Sequence, residues 1–291
     1  MKEIAIIGST ASGKTALSLE IANKTNSIIL SLDSLCVYKE IEIASAKPTF
    51  EERGDIIHFG IDEVYPNVEF DVIKFIELYK KAKEYAFKND KNLIIVGGTG
   101  FYLKALIDGL SQGIETKIKL DIPQEDAYDL LYKIDKEYME KIEKNDRYRI
   151  EKAYAIYKQT SLGPTQYFQK NPKIAVAKDL KIFEILWDKE ELKNRILKRT
   201  KIMINSGIID EVIFLEKKYT REPNCMSSIG IIETLEYLDG KLTKQELEEK
   251  ISANTAKLAK RQNTFNKGQF LDKTSNIIEN LNSDIIKYFS L

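Results

Sequence analysis

Apolar residues along the chain fall into short, nearly unbroken runs: EIAIIG (3–8), SIILSL (27–32), NLIIVGG (92–98) and LKIFEILWD (180–188). Runs of this length, rich in β-branched residues and without alternation, predict strands buried on both faces. Between the runs the period changes. Over DVIKFIELYKKAKEYAF, residues Val72, Phe75, Ile76 and Tyr79 follow the i, i+3, i+4, i+7 rule of an amphipathic helix. A second helix is predicted from Gly13 to about Asn23, with Leu17 and Ile21 on one face. Strands alternating with helices imply a parallel α/β sheet covered on both faces.

After Gly109 the pattern becomes helical without buried strands. PQEDAYDLLYKI and NDRYRIEKAYAIYKQ read as helices and TSLGPTQ as a loop. The chain therefore divides into an α/β core over 1–110, a helical insertion over 111–175, and a return to the core over 176–291 that is mostly helical after its strand. In that last part Asp188 and Glu191 form a capping-box pattern ahead of LKNRILKRTKIMI, Gly207 punctuates, and IIDEVIFLEKKY continues. Thr243 and Glu246 open a last long helix, ELEEKISANTAKLAKRQNTF.

Composition narrows the partners. The 291 residues are 43% hydrophobic, enough for a sizeable core, and 45 basic residues balance 45 acidic ones. A net charge of zero supplies no global field toward nucleic acid, so any such contact depends on local patches. Two cysteines far apart, Cys36 and Cys225, suggest a reducing compartment without disulfides. The start of the chain lacks a signal-peptide apolar stretch and no run is long enough to span a membrane, so a cytoplasmic protein is expected, with no membrane partner.

The first strand runs into GSTASGKT, residues 8–15, which fits G-x-x-x-x-G-K-[ST] between a strand and a helix. Gly8 and Gly13 let the backbone wrap so that the N–H groups of Ser9, Thr10, Ala11, Ser12, Lys14 and Thr15 can face anionic oxygens. The helix start adds its positive dipole end, Lys14 a mobile cation, and Thr15 a hydroxyl for Mg2+. The expected fold is thus α/β: a P-loop NTPase-like parallel sheet flanked by helices, with a helical insertion domain and a helical C-terminal part. The loop grips phosphates without specifying what hangs from them. The second strand ends in SLDSLCVYK, which puts Asp33 at the carboxyl edge of the sheet beside the phosphate site, on magnesium or as a base. The third ends in GGTGFY, where glycines around Thr99 let a ligand or another chain segment come close.

Together, GSTASGKT, DSLCVYK with IASAKP (43–48), and GGTGFY resemble the tRNA dimethylallyltransferase family over residues 1–110. NDRYRIEKAYAIY, RILKRTKIMINSGIIDEV, SSIGIIE and AKRQNTF continue the resemblance through the second half. The sequence departs from the family's habit at Leu35-Cys36, at Ile57-His58 where a His pair is usual, and at Phe265 where the family has Trp. The segment between Leu110 and Pro123 is short, with Lys117 or Lys119 in place of an arginine that touches tRNA.

The resemblance implies transfer of a dimethylallyl group from dimethylallyl diphosphate to N6 of adenine 37 in tRNA, beside the anticodon. The phosphate loop then holds a leaving group. The N6 amine is a poor nucleophile, so the diphosphate must leave with its charge neutralised and the amine must lose a proton. By resemblance, Asp33, Thr15 and Arg199 are the catalytic residues: Asp33 accepts the proton, Thr15 helps hold Mg2+, and Arg199, four residues after Arg195, reaches the diphosphate. The resemblance assigns tRNA contacts to Asp33, Ser34, Leu35, Cys36, Thr99, Tyr148, Arg149, Ile150, Glu151, Lys152, Lys260 and Arg261, with Arg147 and Lys257 as further basic lining. His58 reads as structural, and Tyr38, Phe101 and Tyr102 as core residues first. A monomer is expected. From the residues alone, a small-molecule kinase or a non-catalytic nucleotide-dependent RNA-binding module also fits a phosphate loop with a strand-tip Asp and helical additions.

Overall fold

The computed structural model describes residues 1–111 and 119–290. Lys117 therefore lies outside the described residues. Two compact units emerge, one formed by 1–104 with 177–291 and the other by 105–176.

The first unit is built on six parallel strands: β1 (Glu3–Ile7), β2 (Ser27–Ser31), β3 (His58–Phe59), β4 (Asn92–Val96), β5 (Lys181–Ile185) and β6 (Thr274–Asn276). Their order across the sheet is β3-β2-β4-β1-β5-β6. The four apolar runs form β1, β2, β4 and β5, and β1 lies centrally between β4 and β5. The two edge strands escape sequence pattern because they are two and three residues long, too short to show a period. The chain leaves β1 through the phosphate loop, so that loop sits over the middle of the sheet's carboxyl edge, where open α/β sheets bind ligands.

The helices of the N-terminal half are α1 (Lys14–Lys24), α2 (Phe50–Arg53), α3 (Val72–Lys88) and α4 (Gly100–Asp108), the last crossing the boundary between the units. Gly13, with φ 89°, caps α1 in a conformation that a side chain would resist. Asp71 caps α3 by accepting from the N–H groups of Ile73 and Lys74.

The second unit packs α5 (Gln124–Ile134), α6 (Lys136–Met139), α7 (Arg147–Thr160) and α8 (Pro164–Lys170) around Tyr128, Leu131, Met139, Ile150 and Tyr154. Residues 164–166, expected in a loop, begin α8 instead. Pro164 is its first residue, a position where the missing N–H costs nothing and the fixed φ is already helical. Buried Asp135 ties the unit together by accepting from Tyr138 N–H, Thr165 N–H and the Thr165 hydroxyl.

The chain returns to the first unit through β5, then α9 (Lys189–Asn205), α10 (Ile208–Tyr219), a 3-10 turn (Asn224–Ser227), α11 (Ile231–Leu238), α12 (Lys244–Gln269) and α13 (Ile278–Ser290). The box at Thr243 and Glu246 is reciprocal. At Asp188 only half of it forms: Asp188 accepts from the N–H groups of Glu190 and Glu191, and its own N–H donates no bond back to the Glu191 carboxylate. Helix α12 is not the last. Leu281 and Ile285 of α13 join Leu17 and Ile21 of α1 over β1 and β5. Phe101 departs from the expected core. It is 55% exposed, while Tyr102 is buried and stacks on Phe75.

Candidate active site

Above the carboxyl edge of β1, β2 and β4, a cavity of about 110 Å³ is lined by Thr10, Lys14, Thr15, Asp33, Cys36, His58, Gly97, Gly98, Arg199 and Gln262, among others. These residues come from distant parts of the chain. Thr10, Lys14 and Thr15 sit on the loop and first turn after β1. Asp33 and Cys36 follow β2. Gly97 and Gly98 follow β4. Arg199 projects from α9 and Gln262 from α12.

The phosphate loop is held from outside by three side chains of the returning chain. Trp187 Nε1 donates to Ser12 O at 2.8 Å, Arg195 Nε donates to Ala11 O at 2.7 Å, and Thr10 N–H donates to Gln262 Oε1 at 2.8 Å. Ala11 has φ 63°, a conformation that costs a non-glycine residue, and the Arg195 bond to its carbonyl helps hold it. Ser9 and Ser12 are buried, Ser12 N–H donating to Ser9 O to close the turn.

Lys14 folds its ammonium back over the loop, donating to Gly8 O at 2.9 Å and Ser9 O at 2.6 Å. Burial lowers its pKa to about 8, an effect opposed by the Asp33 carboxylate and reinforced by the Arg199 guanidinium. Burial also pulls Arg199 down, with Asp33 and Cys36 acting the other way. Two cations and one carboxylate therefore share a partly desolvated pocket, an arrangement suited to receiving a polyanion. Thr15 is exposed at the mouth, at the start of α1.

Asp33 Oδ1 accepts from Leu35 N–H at 2.8 Å and, more weakly, from Cys36 N–H at 3.4 Å. These bonds fix one oxygen of the carboxylate, which lines the cavity. Ser34 N–H donates to Thr99 Oγ1 and Thr99 N–H to Leu32 O, so the loops after β2 and β4 are tied where Asp33 stands. The glycines of GGTG are needed for contacts within the chain. A Cβ on Gly97 would meet Leu32 O at 2.5 Å, and one on Gly98 would meet Gln262 Nε2 at 2.4 Å. Burial pushes the Cys36 thiol well up, which fits a small pocket-wall residue and not a nucleophile.

Three features were not legible as site features in the sequence. His58, read as structural, is half-buried on β3 and lines the cavity. Its Nδ1 lies 2.8 Å from Ile56 O, and burial lowers its pKa, favouring the neutral ring. Lys47 of the IASAKP segment is buried, donating to Tyr38 O and pairing with Asp62 and Glu42. Glu211 accepts from the N–H groups of Glu42, Ile43 and Ala44 at 2.7–2.9 Å. The last two shape the segment carrying Ser45, Ala46 and Pro48 into the cavity wall. Gln262 could have been suspected only from its place in AKRQNTF.

The residues expected to meet tRNA fall in separate places. Ser34, Leu35, Cys36 and Thr99 surround Asp33. Lys260 and Arg261 are exposed on α12 and, with Lys257 and Phe265, line an open groove along that helix. In the helical unit, α7 exposes Tyr148 and Arg149, with Lys152 over the Tyr148 ring at 5.3 Å. Arg149 pairs with Asp146 and Arg147 with Glu151. Ile150 differs from expectation: it is fully buried in the core of that unit, so its side chain offers no contact surface.

A central-strand phosphate loop with a lysine, an arginine and a carboxylate in one cavity defines a phosphate-loop protein. The IPP transferase family model matches residues 36–269, and the chain belongs to that family. It is 82% identical to a tRNA dimethylallyltransferase of Aliarcobacter butzleri over the whole of both chains. It is 52% identical to one of Sulfurimonas denitrificans over 98% of each. A solved structure of a eukaryotic dimethylallyltransferase acting on tRNA superposes with a TM-score of 0.82 at 28% identity, covering 95% of this chain and 74% of that one.

Proposed function

We propose that this chain is a tRNA dimethylallyltransferase that moves a dimethylallyl group from dimethylallyl diphosphate to N6 of adenine 37, releasing diphosphate. The new bond joins the allylic C1 to N6, the C1–O bond breaks with its electron pair leaving on diphosphate, and the N6 proton passes to the Asp33 carboxylate. The observation that carries this reading is that one cavity contains both an anion grip, Lys14 with Arg199, and a carboxylate, Asp33. The 82% identity to a tRNA dimethylallyltransferase supports the acceptor class.

Within that reading Lys14 leaves its two loop carbonyls to meet the diphosphate, and Arg199 meets the charge that grows on the leaving oxygen. The Asp33 oxygen not fixed by Leu35 and Cys36 takes the amine proton. Among the described residues no three or more His, Cys, Asp or Glu side chains cluster as a metal site. The donors at hand are the Thr15 hydroxyl and the Asp33 carboxylate, both hard oxygens. That set fits Mg2+, which keeps most of its shell as water and phosphate oxygen. Thr15 would hold Mg2+, and the ion would supply neutralisation of the leaving-group charge. The basic faces of α7 and α12 serve the tRNA backbone, with the helical unit of 105–176 as a tRNA-binding module. Adenine 37 must leave its stack to reach the cavity, which is cheaper in a loop than in a duplex. Monomeric action in the cytoplasm completes the reading. Among the described residues no helix is long and apolar enough to cross a membrane.

The test incubates the protein with magnesium, labelled dimethylallyl diphosphate and either tRNA or free AMP. Label on tRNA, lost when adenine 37 is replaced by guanine, is expected. Label on AMP alone, or on neither acceptor, overturns the reading.

A further inference from the structure

Of the backbone N–H groups that a phosphate loop offers to an anion, Ser12 N–H closes the turn on Ser9 O, and a second is taken by a side chain from the far end of the chain. Thr10 N–H, at the third position of the loop, donates to Gln262 Oε1 at 2.8 Å. The same side-chain amide donates through Nε2 to Gly98 O at 3.0 Å. Gln262 thus spans the gap between the loop after β1 and the loop after β4, with both polar atoms engaged. It also fills that gap, since a Cβ on Gly98 would lie 2.4 Å from Nε2. Its half-buried side chain lines the cavity together with Lys14 and Thr15.

In loops of this pattern the backbone amides cradle the inner phosphates, and the lysine reaches toward the end of the phosphate chain. Here the inner part of the cradle, the turn at Gly13 and the start of α1, is open to the cavity through Lys14 and Thr15. The outer part, at Thr10, is closed by a neutral amide whose oxygen faces the same N–H that an anionic oxygen would seek. A third phosphate arriving at Thr10 must break two hydrogen bonds and displace the side chain. A two-phosphate chain held at Lys14 and Thr15 need not.

We propose that Gln262 sets the length of phosphate chain the loop accepts, admitting a diphosphate and disfavouring a triphosphate. This rests on the diphosphate-donor reading above and deepens it. Gln262 acts as a specificity-determining and positioning residue.

The test measures direct binding of magnesium pyrophosphate and magnesium tripolyphosphate to the full-length protein by titration calorimetry, so it does not depend on transfer activity. Wild type is expected to bind pyrophosphate at least tenfold more tightly than tripolyphosphate. Gln262→Ala and Gln262→Asn, the second too short to span both loops, are expected to narrow that ratio to threefold or less, chiefly through tighter tripolyphosphate binding. Thermal melts establish that the variants are folded, and Gln262→Asn keeps the test open if the alanine variant is not. An unchanged ratio in a folded variant, an equal loss of both ligands, or a wild type without preference overturns the proposal. Absence of label transfer to tRNA in wild type, with the ratio still shifted by the variants, overturns the transferase reading and leaves the role of Gln262 standing.

Discussion

The Arg195 guanidinium lies 4.3 Å from the centre of the Trp187 ring, and each residue donates a hydrogen bond to the phosphate loop, Arg195 to Ala11 O and Trp187 to Ser12 O. Arg195, four residues before Arg199 on α9, therefore braces the loop while Arg199 faces the cavity. Lysine in place of Arg195 keeps the charge but loses the planar stack and the Nε donor. Arg195→Lys is expected to cost about 1–2 kcal/mol of loop order, or roughly five- to thirtyfold in KM for the diphosphate donor. Turnover at saturation should change less. Steady-state kinetics with donor varied at fixed tRNA decide it, and a pure loss of turnover argues against bracing.

Lys14→Ala removes the mobile cation and no core packing. A charge-assisted contact contributes roughly 1.5–3 kcal/mol, so donor kcat/KM is expected to fall at least tenfold with the melting temperature nearly unchanged. Wild-type kinetics in the folded variant would mean that the loop does not grip the donor.

Asp33→Asn preserves shape and the bonds from Leu35 and Cys36 but cannot take a proton. Turnover is expected to fall by roughly two to four orders of magnitude, with tRNA affinity little changed. A magnesium titration separates the roles. Rescue at high magnesium assigns Asp33 to the metal and removes it as the base.

The lowered pKa of Lys14 gives two pH signatures. In the empty protein the ammonium loses its proton as pH rises through about 8, so pyrophosphate affinity is expected to fall above that pH. Stability moves the other way. Between about 8 and the ordinary value of 10.5 the unfolded chain binds more protons at this residue than the folded one, so unfolding free energy rises with pH across that window. Lys14→Met should lack that rise. Chemical denaturation of both proteins from pH 7 to 10 measures it.

Gly97 and Gly98 should respond differently to alanine. At Gly97 the added Cβ meets the backbone oxygen of Leu32, which cannot swing away, and a loss of about 1–3 kcal/mol is expected. At Gly98 it meets the end of the Gln262 side chain, which can move. Gly98→Ala should therefore keep most of its stability and reproduce the Gln262→Ala binding ratio. Equal melting temperatures for the two glycine variants contradict this account.

The strands β1, β2, β4 and β5 were legible because a strand buried on both faces must be apolar throughout, and α1 and α3 because one face alone is. The phosphate loop was legible because its glycines serve backbone geometry, which varies little with context. Gln262, Trp187 and Glu211 were not. Each acts through a hydrogen bond to backbone more than 160 residues away in sequence, and nothing local marks a residue for such a partner. The start of α8 at Pro164 was missed because Gly163-Pro164 reads equally as a turn. The inward position of Ile150 on α7 is not legible either, because polar and apolar residues mix along NDRYRIEKAYAIY without marking one buried face.

Thr10 and Gln262 are separated by 252 residues. At synthesis rates of about 5–20 residues per second, roughly 13–50 s pass between the emergence of the two. During that interval the phosphate loop exists without its clamp, and its braces from Trp187 and Arg195 follow it by 175 and 184 residues. The discrimination proposed for Gln262 therefore arises only when the last long helix docks, at the end of folding and not at its start.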